Sequence, residues 1–426
     1  MEGLMVRGDP PLINWPAFRS VYATLGNVVS MGGGTANTTS LLRVMNERAV
    51  FAEIFRLGKV SRPELAQATG LSKPTISVAL ADLERARLVR PVGLRTGNAG
   101  RAALLYEIRP QAGWVLAVDI GRAYVRLALA DLVGEIVARK DEPSRAESYD
   151  AVLAQLSDLA DKLTTEAGLS PGDITLTVFG TPGIHDKETG VLRLAHNLPG
   201  WELPGAVERL ADVTGSPYIL ENDVDLAAVG EGAYGLGEGV PHFVYVSVGT
   251  GIGMGVVIDG KLYRGSRGAA GEISYLPVGE GDPRADPGRG MFESVASADG
   301  VIAAAARLGM IAATAKDVFD AARAGDETAL KVVSAEADHV AHALAGIVAV
   351  LDPELVVLGG GIGAQAADLL IGPVTERLPG LVALRPPRIE ASTLGVDAVL
   401  LGALAFGLAT ARDLVFERAV AVTPPG

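Results

Sequence analysis

Residues 61–83 read SRPELAQATGLSKPTISVALADL, a stretch that holds two helix starts separated by one glycine. Ser61 is placed to cap a helix, with Glu64 three residues on to complete a capping box. Gly70 ends that helix and Ser72 starts the next. Ile76, Leu80 and Leu83 share one face of the second helix, which predicts packing on the first. Ser72, Lys73, Pro74, Thr75 and Ser77 then stand at its exposed N-terminal end, where a recognition helix meets base edges and phosphates. The pattern predicts a helix-turn-helix.

Working outward, a helix is expected from Asn46 through Phe55 to Gly58. Residues 88–92 and 104–108 read as strands on either side of a turn-rich segment, Arg95 to Arg101. Helix-turn-helix plus hairpin predicts a winged helix, with Arg95 and Arg101 on the wing near phosphates or a minor groove. A plain hairpin with solvated arginines is the other reading. Charge favours the first. The chain carries −13 overall, yet residues 41–101 hold eleven Arg or Lys and five Asp or Glu. A local +6 on a remainder of −19 is what a specific DNA binder can look like, since phosphates attract the module and repel the body.

At 426 residues, 49% of them hydrophobic, the chain is long enough for two or three domains with sizeable cores. No run of some 18 unbroken apolar residues is present, so no membrane span is expected. Residues 11–31 are interrupted by Asn14, Pro16, Arg19 and Asn27 and make a poor signal peptide. The absence of cysteine excludes disulfides and thiolate metal sites and fits a cytoplasmic protein. Residues 1–40, with Gly32, Gly33 and Gly34, read as a flexible extension, and 41–110 as the DNA-binding unit. From residue 111 strands and helices alternate, indicating an α/β body. Two glycine-turned hairpins, near 114–130 and 243–258, open lobes at 111–240 and 241–426, with a C-terminal helix returning towards the first.

Several residues of the body carry chemistry. Asn222 and Asp223 follow a buried strand, a usual place for a site residue in an α/β fold. A carboxylate there can accept a hydroxyl proton during phosphoryl transfer, or it can simply cap the next helix. Gly249, Thr250 and Gly251 let backbone amides approach a phosphate or a sugar, or make a tight hairpin turn.

From about Asn46 to Gly407 the chain resembles the ROK family of repressors and sugar kinases. The motifs that carry the resemblance are SRPELAQATGLSKPTIS, VLAVDIG, GVLRLAHNLPGW, ENDVDLAAVGE, VSVGTGIGMGVVIDGKLYRGSRGAAGE and DPELVVLGGG. The N-terminal portion is similar to the repressor branch. The resemblance implies an α/β fold: a winged helix-turn-helix followed by a two-lobed, ribonuclease-H-like body of the actin and hexokinase kind. It implies that Asp223 is the kinase base and a sugar contact, and that Asn197, Asn222, Glu272 and Glu293 bind sugar. It gives Asp119, Gly121, Gly249, Thr250, Gly251 and Gly360 to an ATP site, vestigial here.

Two departures qualify these implications. After Asp119-Ile120-Gly121 the chain has Arg122-Ala123 where the family carries a threonine that can bond phosphate. The family's structural zinc needs one histidine and three cysteines. Tyr275 stands at the histidine's place, three residues after Glu272, and residues 285–291 hold no thiol. No metal or other cofactor is therefore expected, and the altered loop counts against ATP and magnesium. Tyr275 is expected to take over part of the zinc's role beside the sugar. These expectations converge on a DNA-binding regulator, a repressor that answers to a sugar or sugar derivative. The expected partners are operator DNA, that effector and a second copy, as a dimer or dimer of dimers, with no membrane. The alternatives are an ATP-dependent sugar kinase with an added DNA-binding module, and a DNA-binding protein whose body only dimerises.

Overall fold

A computed structural model describes residues 38–95, 102–186, 188–195, 198–279 and 288–422. The N-terminal unit begins with α1 (Thr38–Leu57), which starts eight residues before the expected Asn46. It buries Val50, Phe51 and Ile54. After β1 (Val60–Ser61) comes α2 (Arg62–Thr69). The Glu64 carboxylate reaches back to accept from the Ser61 amide at 2.8 Å and its hydroxyl at 2.7 Å. Gly70 adopts φ 72° and donates to the Ala66 carbonyl, closing the helix as only a residue at ease with positive φ can. α3 (Lys73–Arg85) starts on Ser72, whose hydroxyl accepts from the Thr75 amide, and buries Ile76, Ala79, Leu80 and Leu83. β2 (Val89–Arg95) and β3 (Ala103–Ile108) complete a three-stranded sheet in the order β1-β3-β2.

The body contains two five-stranded sheets of the same construction. In the first, β4 (Trp114–Ile120), β5 (Tyr124–Asp131) and β6 (Ile136–Pro143) run antiparallel. β7 (Leu176–Thr181) and β10 (Tyr218–Asn222) then lie parallel to β4, giving the order β10-β7-β4-β5-β6. α4 (Tyr149–Glu166) connects β6 to β7, and a small hairpin, β8 (Ile184–Asp186) and β9 (Val191–Arg193), falls between β7 and β10. α5 (Asp223–Tyr234) follows β10. The second sheet repeats the plan with β11 (Phe243–Val248), β12 (Ile252–Ile258) and β13 (Lys261–Leu262) antiparallel. β14 (Leu355–Gly359) and β15 (Arg388–Ala391) lie parallel to β11.

Six helices serve this second sheet: α6 (Met291–Ala296), α7 (Ala298–Arg307), α8 (Ala315–Arg323), α9 (Glu327–Leu351), α10 (Gly360–Gly363) and α11 (Ala367–Leu381). Ser297 separates α6 from α7: it ends the first, and its side chain caps the second by accepting from the Gly300 amide.

The side-chain alternation of β4 sorts the core. Leu116, Val118 and Ile120 pack under α4, whereas Val115 and Ala117 face α5 and the last helix, α12 (Ala398–Val422). By length and composition α12 could cross a membrane, but 67% of its apolar span is buried against protein. One continuous apolar cluster runs from α1 and α3 through α12 and α5 to Phe243, Tyr245 and Val357 of the second sheet. Burial of this kind is worth about 25 cal/mol per Å² of apolar surface, so the N-terminal unit is anchored to the body rather than tethered to it.

Candidate functional site

The candidate site residues gather where strands of both sheets end. Asp223 is the first residue of α5, directly after β10. The helix cap is Asn222 instead, whose side-chain oxygen accepts from the Val224 amide at 2.9 Å and the Asp225 amide at 3.1 Å. Its amide nitrogen donates to the Gly183 carbonyl at 3.1 Å, so both ends of Asn222 hold backbone in place. Asp223 is left without the capping role, one of its oxygens accepting from the Val224 amide at 2.9 Å. Burial pushes its carboxyl up to about 6, against the pull of that amide.

Two more carboxylates share its field. Glu272 is pushed up to about 7, first by burial and then by the charges of Asp223 and Glu293. Gly271 presents it: with φ +90° and an imagined Cβ only 1.7 Å from the Met254 carbonyl, no side chain fits there. Glu293, in α6, accepts from the Ile252 amide at 3.0 Å, which ties it to the glycine turn that starts β12. Arg289 lies 3.6 Å from its other oxygen. Asp223 and Glu272, both held above the ordinary carboxylate range by burial, can accept from hydroxyls when ionised and donate to them when protonated, which suits a polyhydroxylated, uncharged ligand.

On the opposite side, two glycine loops abut. A Cβ on Gly249 would stand 3.0 Å from the Gly361 amide, and one on Gly360, at φ +78°, 2.5 Å from the Val248 carbonyl. Thr250 is exposed between Gly249 and Gly251. At the end of β4, Asp119 is buried and its carboxylate accepts from Arg126 at 2.9 Å, its partner across the β4–β5 pair. Burial nevertheless pushes Asp119 up to about 7, with Asp223 adding to the rise. Gly121 makes the turn by donating to the Tyr124 carbonyl.

At the first loop Asp119 already has a resident cation in Arg126, and Ala123 offers no hydroxyl to a phosphate. Tyr275 is 43% exposed, with its hydroxyl 3.5 Å from the Gly288 carbonyl, so a weak oxygen contact joins the two segments. Among the described residues no cluster of three or more His, Asp or Glu has a metal-binding arrangement.

At the N-terminal unit Ser72, Lys73, Pro74 and Ser77 are exposed on the first turns of α3, and Thr75 is half-buried beneath them. Arg95 is drawn back instead, donating to Glu64 at 2.7 Å and to the Lys59 carbonyl at 3.1 Å. Asn197 and Arg101 lie outside the described residues. Sequence reading missed Arg126, which the alternation of the β4–β5 hairpin could have paired with Asp119. It also missed Arg264, whose Nε donates to Glu221 at 2.7 Å, a loop-to-strand contact that no periodicity announces.

Comparison with known proteins matches residues 115–410 to the model of the ROK family. A glucokinase of Halalkalibacterium halodurans is 33% identical over 68% of this chain and 93% of its own length. A xylose repressor of Caldicellulosiruptor bescii is 26% identical over 86% of this chain and 96% of its own. That share is larger than residues 115–426 can supply, so the likeness extends into the N-terminal unit. A solved ROK family transcriptional regulator, described as a homologue of the E. coli MLC protein, superposes with a TM-score of 0.73 over 89% of this chain and 99% of its own, at 23% identity.

Proposed function

The chain belongs to the ROK family, and we propose that it is a DNA-binding transcriptional regulator, a repressor that a neutral sugar or sugar derivative releases from its operator. The observation that carries this reading is the N-terminal unit itself. The succession of α2, the Gly70 turn and α3, followed by the β2–β3 pair, is what a winged helix-turn-helix would need, and Ser72, Lys73, Pro74 and Ser77 are exposed at the start of α3, where a recognition helix would read DNA. Likeness to a xylose repressor across that unit supports it. Recognition helices of two copies would read a roughly palindromic site as a homodimer in the cytoplasm.

In the body, Asp223, Glu272 and Asn197 would bind ligand hydroxyls, with Glu293 bracing the glycine turn and lending its free oxygen. Specificity follows because the wrong ligand leaves buried carboxylates without partners. The runner-up, an active sugar kinase, is favoured by the 33% likeness to a glucokinase and by Asp223 at about 6, a value suited to a general base. The Arg126–Asp119 pair and Ala123 weigh against it.

The test is fluorescence anisotropy with DNA selected by the full-length protein from a random duplex library, titrated with D-xylose and D-glucose. Sugar-driven release that Asp223→Ala abolishes, without loss of DNA binding, is the expected result. No selected sequence, or ATP-dependent phosphorylation of a sugar, overturns it.

A further inference from the structure

α5 carries Asp223 at one end and Tyr234 at the other. Along its length it touches α12 backbone to backbone. A Cβ on Gly230 would stand 2.3 Å from the Ala398 carbonyl, and one on Gly402 only 1.8 Å from the Leu226 carbonyl. No side chain lies between the two helices at this crossing, so none can reorient to absorb a shift of one against the other. On its other flank α5 meets β12 closely as well, a Cβ on Gly255 standing 2.5 Å from the Ala228 methyl and 2.7 Å from the Val224 carbonyl. A displacement of α5 at the ligand end is therefore passed to α12.

The far half of α12 holds α1. Phe416 stacks on Phe51 with ring centroids 5.7 Å apart, and Arg48 lies over the Phe416 ring while reaching Glu417 at 3.1 Å. Arg412 sits at the junction. Its guanidinium lies 4.2 Å from the centre of the Phe55 ring in α1, and it feels the Tyr234 hydroxyl at the end of α5. Its Nε is buried and makes no hydrogen bond among the described residues. A buried donor left unpaired is an exception that calls for an explanation.

We propose that Arg412 is the positioning residue that couples the sugar cleft to the DNA-binding unit: movement of α5 and α12 shifts its guanidinium across Phe55 and so turns α1. This rests on the regulatory reading above and adds the route of control. Coupling of this kind is a free energy shared by two sites and need not alter the affinity of either alone.

The experiment compares wild type, Arg412→Met, Arg412→Lys and Phe55→Leu as full chains, each measured for affinity to the selected DNA with and without saturating D-xylose or D-glucose. Sugar affinity is read separately by thermal shift. The wild type is expected to lose DNA affinity at least about fivefold with sugar, the low end of ordinary allosteric couplings. Arg412→Met keeps sugar binding and sugar-free DNA binding but loses most of that change, and Arg412→Lys, which keeps a cation over Phe55, retains it. If Arg412→Met fails to fold, Phe55→Leu carries the same test from the other side of the contact. A responsive wild type with equally responsive Arg412→Met and Phe55→Leu variants overturns the coupling and leaves the regulator intact. A wild type that binds DNA but answers to neither sugar overturns the regulatory reading and the coupling with it.

Discussion

Arg126 donates to Asp119 at 2.9 Å across the first hairpin of the body, and both side chains are largely withdrawn from water. Phosphoryl transfer depends on neutralising the charge of the moving group, and the family resemblance gives that carboxylate to an ATP site. Here a side chain of the protein has taken it, and losing it would leave a buried charge unpaired. No phosphate transfer from ATP to D-glucose or D-xylose is therefore expected above a protein-free control. A coupled assay for ADP release checks it, and turnover that disappears in Asp223→Ala would refute it.

Glu272 holds its proton to about 7, whereas a free glutamic acid gives it up near 4.5. The folded protein thus binds more protons than the unfolded chain between those values, and stability falls as pH rises through them. Glu272→Gln removes the ionisation. Thermal melts should differ little from wild type below pH ~4.5 and favour the variant by at most about 3 kcal/mol at pH 8. A variant no more stable than wild type at pH 8 would contradict this.

Lys73 is exposed beside the Ser72 cap at the start of α3. Lys73→Ala should weaken binding to all DNA sequences alike and lower the salt slope by about one unit. Arg101, placed by sequence on the wing, is expected to do the same. Anisotropy titrations from 50 to 200 mM salt measure it, and unchanged slopes in both variants would reject this placement.

Two glycines separate strain from crowding. Gly271 combines φ +90° with a Cβ position 1.7 Å from the Met254 carbonyl, whereas Gly260, at φ +67°, has nothing within 4 Å. Gly260→Ala should cost only the left-handed penalty of about 1–2 kcal/mol. Gly271→Ala should cost more, above about 3 kcal/mol, because the backbone must move. Urea denaturation compares them, and equal losses would show that the carbonyl contact is not limiting.

Zinc should be absent from purified protein. The chain has no cysteine, and Tyr275 meets the Gly288 carbonyl with oxygen alone. Elemental analysis finding one zinc per chain would mean an unforeseen His, Asp or Glu site.

The helices of the N-terminal unit could be read from sequence because their signals are local: Glu64 returns to Ser61, Gly70 closes one helix, and Ser72 opens the next. α11 was hidden by Pro373 and Pro379, which normally end helices. α12 announces itself in the sequence only as a returning helix without bounds, because a helix buried on most sides lacks the apolar stripe that marks one. Asp223 and Glu272 could be placed by motif. The division of labour between Asn222 as cap and Asp223 without the capping role could not, since both are good capping residues and only the folded backbone chooses.

Because Phe416 and Arg412 come from the last helix described, the apolar face of α1 has no lid during most of synthesis. Phe51 and Phe55 leave the ribosome more than three hundred residues before the side chains that cover them. A nascent chain interrupted before residue 398 could form the head's own helices, yet it would display an adhesive aromatic face. Only the finished chain has both a covered head and a connection from the cleft to it, so truncated products should be captured by chaperones rather than accumulate as unregulated DNA binders.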